Sequence, residues 1–192
     1  MDTHPPGPAD PGALLKIVGE RRPPRIGIDA AAFRSNRVLE PTEADLAPYS
    51  ANPRNRFGDW YEAAIAKALM GPTGRLALTV STHVKLDYRS PVYAGDRIVD
   101  VLVRRPTDRS LGLELKYLHG NGSLVKPKIL VDALDFTHRP IDCIYVIDGP
   151  GWLETKNVEY LATWWSFTSL EFLQPTLAAF FEVGPLEPSS TS

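Results

Sequence analysis

A single α/β domain, with a central mixed sheet flanked by helices in the order α-β-β-β-α-β, is the architecture this 192-residue chain predicts. Three observations carry that expectation. One stretch places apolar residues at the helical period, three later stretches read as strands, and a nearly all-apolar stretch follows a second helical one. Composition agrees: a chain of 21.2 kDa that is 43% hydrophobic and 23% charged can bury a substantial core, which excludes intrinsic disorder except at the ends.

Each element follows in order. Residues 1–11, with Pro5, Pro6, Pro8 and Pro11, and residues 184–192, closing on Ser189-Ser-Thr-Ser, read as flexible ends around one domain over 12–183. Within it, 12–55 reads as a basic lead-in arm carrying Arg21, Arg22, Arg25, Arg34 and Arg37, 56–149 as the core, and 150–183 as a helical C-terminal segment. Phe57, Trp60, Tyr61, Ala64, Ile65, Ala68 and Leu69 share one helical face, and Met70-Gly-Pro-Thr-Gly ends that helix. Leu76, Leu78, Val80, Thr82, Val84 and Leu86 alternate with polar or small residues, predicting a long strand over 75–89. Arg97-Ile-Val-Asp-Val-Leu-Val and Leu111-Gly-Leu-Glu-Leu-Lys-Tyr-Leu, separated by Arg105-Pro-Thr-Asp-Arg-Ser, complete an antiparallel meander. The next helix tolerates Pro127 in its first turn, presents Ile129, Leu130, Ala133, Leu134 and Thr137 on one face, and stops before Pro140. Ile141-Asp-Cys-Ile-Tyr-Val-Ile then reads as a central strand, parallel to its predecessor because a helix connects the two. Two helical segments, 158–165 and 169–182, close the domain.

Charge and cysteine usage narrow the setting. No apolar run reaches the roughly 18 residues of a membrane-spanning helix, and Met1-Asp-Thr-His-Pro-Pro lacks the basic and apolar regions of an export leader. The lone Cys143 excludes internal disulfides and a cysteine-rich zinc site, so the expectation is a soluble cytoplasmic protein with no membrane partner. The net charge of −2 hides an asymmetry: residues 1–139 carry 20 Lys and Arg against 16 Asp and Glu, while 140–192 carry 1 against 7. An anionic partner would meet the first part, unless the surface is simply mixed.

The chemistry-bearing constellation lies in the meander. Glu114 and Lys116, two apart on a strand, share a face, and a turn centred on Thr107 sets Asp100 directly across from Glu114. Two carboxylates and an ammonium then converge, as hydrolysis of a phosphodiester assisted by a hard divalent cation requires. A cross-strand ion pair on a solvated face is the other reading.

With this order of elements and the motif Asp100, Glu114-Leu115-Lys116, the stretch from Phe57 to Gly149 resembles the PD-(D/E)XK nuclease superfamily, most of all small type II restriction endonucleases. The resemblance implies a restriction-endonuclease-like core and hydrolysis of double-stranded DNA to 5′-phosphate and 3′-hydroxyl ends. It implies Mg²⁺, with Mn²⁺ as a substitute, on Asp100, Glu114 and the Leu115 carbonyl, with Lys116 orienting or activating water. Glu62 on the first core helix matches a glutamate that joins the metal shell, although Asp59 before it allows a capping box instead. No Pro precedes Asp100, and Asp96 offers a second first acid; the apolar setting Ile98-Val-Asp-Val-Leu favours Asp100. Arg21, Arg22, Arg25, Lys126 and Lys128 are candidates for the DNA backbone. A restriction enzyme also implies a homodimer and a cognate methyltransferase. The aromatic cluster Trp164, Trp165, Phe167, Phe172, Phe180 and Phe181 suggests where the dimer contact lies, unless these rings are core. Cys143 reads as core, and the four histidines show no metal-ligand spacing.

Two other functions compete. A non-catalytic DNA-binding or assembly subunit would keep the same fold. The stretch Asp87-Tyr-Arg-Ser-Pro-Val-Tyr-Ala-Gly-Asp also resembles a hot-dog-fold thioesterase, which implies a continuous antiparallel sheet wrapped around an early helix, with no crossover after Lys116.

Overall fold

Local capping signals organise the chain before the sheet begins. The computed structural model describes residues 26–36, 38–53, 55–70, 78–105, 109–120 and 125–182. Within the expected lead-in arm it contains two short helices, α1 (Ala30–Ser35) and α2 (Glu43–Leu46). Asp29 caps the first by accepting the Ala32 N–H, and Thr42 and Asp45 form a capping box on the second. Helix α3 (Arg56–Met70) buries Tyr61, Ile65 and Leu69, one face at the spacing read from the sequence.

The strands are β1 (Thr79–Leu86), β2 (Arg97–Arg104), β3 (Ser110–Tyr117), β4 (Asp142–Asp148) and a two-residue β5 (Phe167–Thr168). They lie side by side in sequence order; the first three are antiparallel, and β3, β4 and β5 are parallel. Helix α4 (Val125–Phe136) crosses from β3 to β4, and α5 (Asn157–Trp164) from β4 to β5. Helix α6 (Leu173–Phe180) follows. The order α-β-β-β-α-β is therefore present, in a five-stranded mixed sheet flanked by helices.

Helices α3 and α6 cover one face, where Tyr61, Ile65, Leu173 and Leu177 pack on Val101, Leu113, Ile144 and Val146. Helices α1, α4 and α5 cover the other, where Phe33, Ile129, Ala133 and Leu161 pack on Cys143, Tyr145 and Ile147. Strand β4 is thus apolar on both faces because both are covered, as its sequence predicts.

Several expectations need correction. The first strand spans Thr79–Leu86 rather than 75–89, and residues 71–77 lie outside the described residues. Strand β5 was not anticipated: two residues are too few to show a period. Trp165, Phe167, Phe180 and Phe181 are each at most 3% exposed, so four of the six rings expected at a dimer contact fill the core of this chain instead, while Trp164 and Phe172 are half-buried. The parallel β3–β4 pair reached through α4 replaces the continuous antiparallel sheet that the hot-dog resemblance implies. Of the basic arm, Arg21, Arg22, Arg25 and Arg37 lie outside the described residues, while Arg34 Nε donates to Glu159 Oε1 at 2.5 Å. Among the described residues no helix is long and apolar enough to cross a membrane.

Gly27 shows why the far edge of the sheet is covered. Its φ is +102°, and a Cβ there would fall 2.0 Å from the Phe167 carbonyl oxygen. Glycine alone permits that approach, and it lets the Ile28 N–H donate to the same carbonyl at 2.9 Å.

Candidate active site

The β2–β3 ladder pairs Val101 with Leu113 and Leu102 with Gly112, the register of a turn centred on 107. Continued by one residue, that register sets Asp100 opposite Glu114, but backbone pairing stops at Val101. Beyond it the Leu115 N–H, freed from the ladder, donates to Asp100 Oδ2 at 2.7 Å. A strand residue aims its N–H and C=O to the same side, so the Leu115 carbonyl faces the same gap. Lys116 Nζ lies 3.9 Å from Asp100 Oδ2 and 3.7 Å from Glu114 Oε2. The three groups predicted to converge do so, in a partly open setting: the Glu114 side chain is 7% exposed, that of Asp100 24% and that of Lys116 31%.

Glu114 is held from behind. Its Oε1 accepts a 2.5 Å hydrogen bond from Nη1 of Arg139, whose side chain is fully buried. The Arg139 Nε in turn donates to Asp135 Oδ2 at 2.9 Å, and Asp135 also accepts the Tyr88 and Ser90 hydroxyls. Helix α4 and the β1–β2 connection are thereby clipped together behind the site. Burial pushes the Glu114 carboxyl above the usual range, while the charges of Lys116 and Arg139 pull the other way. For Asp135 burial pushes upward too, yet the hydrogen bonds from Ser90 and Tyr88 and the Arg139 charge outweigh it, and its pKa is lowered.

On the other side of Asp100 the sheet is irregular. Strand β1 pairs Thr82 with Val101 and Val84 with Val99, and between them His83 stands at the register position of Asp100 with φ +52°. The packing changes there. Val80, Val101 and Val103 belong to the core under α3 and α6, whereas Val84, Leu86 and Val99 belong to a separate cluster with Leu102. Val80, Val84 and Leu86 are an even number of residues apart, as are Val99, Val101 and Val103, so a regular pleat would keep each set on one face; instead Val99 joins Leu102, which is an odd number of residues away. Both strands therefore exchange faces at His83 and Asp100. His83 Nε2 reaches Glu62 Oε2 at 3.3 Å, so Glu62 meets β1 at the register position of Asp100; its pKa is raised by burial and then by the charge of Asp100.

Other expected residues fall elsewhere. Asp96 is engaged with Lys85 at 2.7 Å in an exposed ion pair, leaving Asp100 as the acid that meets Glu114 and Lys116. Asp59 lies inside the first turn of α3 rather than at its cap, so the capping-box reading of Glu62 does not hold. Lys128 lies 3.6 Å from Asp132, and Lys126 lies over the Tyr160 ring. His83, Asp135 and Arg139 were not anticipated. Asp135 left a trace in the sequence, a charge inside the apolar run Ala133-Leu-Asp-Phe; Arg139, next to Pro140, reads only as a helix terminus.

Among the described residues no three His, Cys, Asp or Glu side chains form a ready-made metal cluster. A divalent cation here would draw on two carboxylates, a backbone carbonyl and water, hard oxygen donors of the kind Mg²⁺ takes while keeping much of its hydration. Compared with known proteins, the chain matches no family model, and no curated protein matches it significantly.

Proposed function

We propose that the protein is a Mg²⁺-dependent endonuclease with a restriction-endonuclease-like core, hydrolysing DNA phosphodiester bonds to 5′-phosphate and 3′-hydroxyl ends. The observation that carries the reading is the Lys116 ammonium within 4 Å of both carboxylates, on neighbouring strands whose ladder stops at that point. A solvated cross-strand pair needs neither a buried Arg139 behind Glu114 nor a backbone N–H turned onto Asp100.

Asp100, Glu114 and the Leu115 carbonyl would hold the metal, with Glu62 nearby. When bound, a divalent cation polarises a phosphoryl oxygen and lowers the pKa of an attached water. The chain's own residues do the rest. Lys116 places a positive charge beside the site, where it favours hydroxide over water and offsets charge developing on the phosphate. The Leu115 N–H holds Asp100 Oδ2, so that carboxylate is oriented before substrate arrives. Arg139 fixes one oxygen of Glu114 and leaves Oε2 turned toward Lys116.

Supercoiled plasmid incubated with the purified chain, with and without Mg²⁺, tests the proposal. Metal-dependent appearance of nicked or linear DNA is the expected result. Retardation of plasmid DNA without cutting in either Mg²⁺ or Mn²⁺ would instead favour the non-catalytic subunit.

A further inference from the structure

We propose that His83 is a positioning residue of this site, holding the Glu62 carboxylate beside Asp100. The inference rests on the hydrolytic reading and extends it to a residue on the edge strand.

The backbone is the first argument. Three described non-glycine residues have positive φ, and Lys156 and Glu182 both flank helix ends; His83 alone lies within a strand. A left-handed residue there forfeits the extended conformation that the ladder requires, and such strain persists where surrounding structure imposes it. Its position is the second argument. The strained residue stands at the register position of Asp100, where β1 and β2 exchange faces, rather than at a strand end.

Contact is the third. His83 Nε2 lies 3.3 Å from Glu62 Oε2, and Glu62 projects from α3, on a different element from every other member of the site. Like charges at Glu62 and Asp100 repel, so without a restraint the Glu62 side chain would favour rotamers directed at solvent. The imidazole supplies that restraint. The His83 side chain is 64% exposed and that of Glu62 39%, so the ion pair itself gains little; the left-handed backbone at the register position of Asp100 is what sets it apart.

Substitutions separate backbone from side chain. His83→Gly accepts the positive φ but removes the imidazole, and His83→Asn tolerates the same φ while keeping a hydrogen-bond donor for Glu62. Mn²⁺ affinity by titration calorimetry and plasmid cleavage are both measured on the full chain, with folding followed by circular dichroism. We expect His83→Gly to remain folded, to lose about tenfold in Mn²⁺ affinity, the scale typical of residues that orient metal ligands, and to lose kcat. His83→Asn should recover most of both, and His83→Gly should add no loss in a Glu62→Gln background. A wild-type chain that cuts DNA while His83→Gly retains full Mn²⁺ affinity and kcat would overturn this inference alone. So would an undiminished loss in the Glu62→Gln background. A wild-type chain that neither binds Mn²⁺ nor cuts DNA would overturn the hydrolytic reading and the role of His83 with it.

Discussion

Lys116 is separable from the fold because its side chain reaches the surface, and a glutamine at the buried Glu114 keeps an oxygen to accept from Arg139. Lys116→Ala and Glu114→Gln should each lower plasmid cleavage by at least about a hundredfold with little change in DNA affinity, as read by fluorescence anisotropy on a labelled duplex. Arg139 is a different case. Its removal strands the carboxylates of Glu114 and Asp135 in the interior, so Arg139→Met should destabilise the protein by about 3–5 kcal/mol, measured by urea denaturation. The triad of Asp100, Glu114 and Lys116 is legible in the sequence because strand alternation and one turn length decide both face and register. Arg139 and His83 are not, since the first acts through a tertiary contact from a helix end and the second through a dihedral angle that histidine does not announce.

At the scale of elements, the C-terminal end of β4 carries a pH signature. Burial raises the Asp148 carboxyl to about 6, although it accepts the Leu39 and Gly149 N–H groups. A carboxyl whose pKa is higher folded than unfolded binds its proton more tightly in the native state, so its contribution is full only below the unfolded value of 3.8 and is lost as the pH rises through about 6. The loss amounts to at most about 3 kcal/mol. Both N–H groups donate to Oδ1, which an asparagine retains, so Asp148→Asn should flatten stability between pH 4 and 7, measured against wild type by urea denaturation at each pH. The elements themselves were legible where a period ran for several repeats, as in α3 and β1. The capping box at Thr42 and Asp45 was a readable signal in the lead-in region, but four residues of α2 show no period. Strand β5 is shorter still, and its place depends on β4 beside it and on Gly27 outside it.

For the whole molecule, one centre of this kind cuts one strand, so double-strand cleavage at a symmetric sequence calls for two centres related by a twofold axis. Light scattering should therefore find twice 21.2 kDa, with the mass of the duplex added when cognate DNA is bound; a persistent monomer would count against the restriction-enzyme form of the proposal. Such a contact must use a surface other than the buried rings of the C-terminal region. The sheet's two edges differ in what they offer a neighbour: residues 26–28 run along β5, whereas β1 has a strand partner on one side only among the described residues. An open edge is a template on which identical chains can stack without limit. Here the template is interrupted midway by the left-handed His83 and carries the charged pair of Lys85 and Asp96 further along, so an incoming strand would lose register after a few residues. The distortion that admits Asp100 to its partners thus also guards the chain against fibrillar self-assembly.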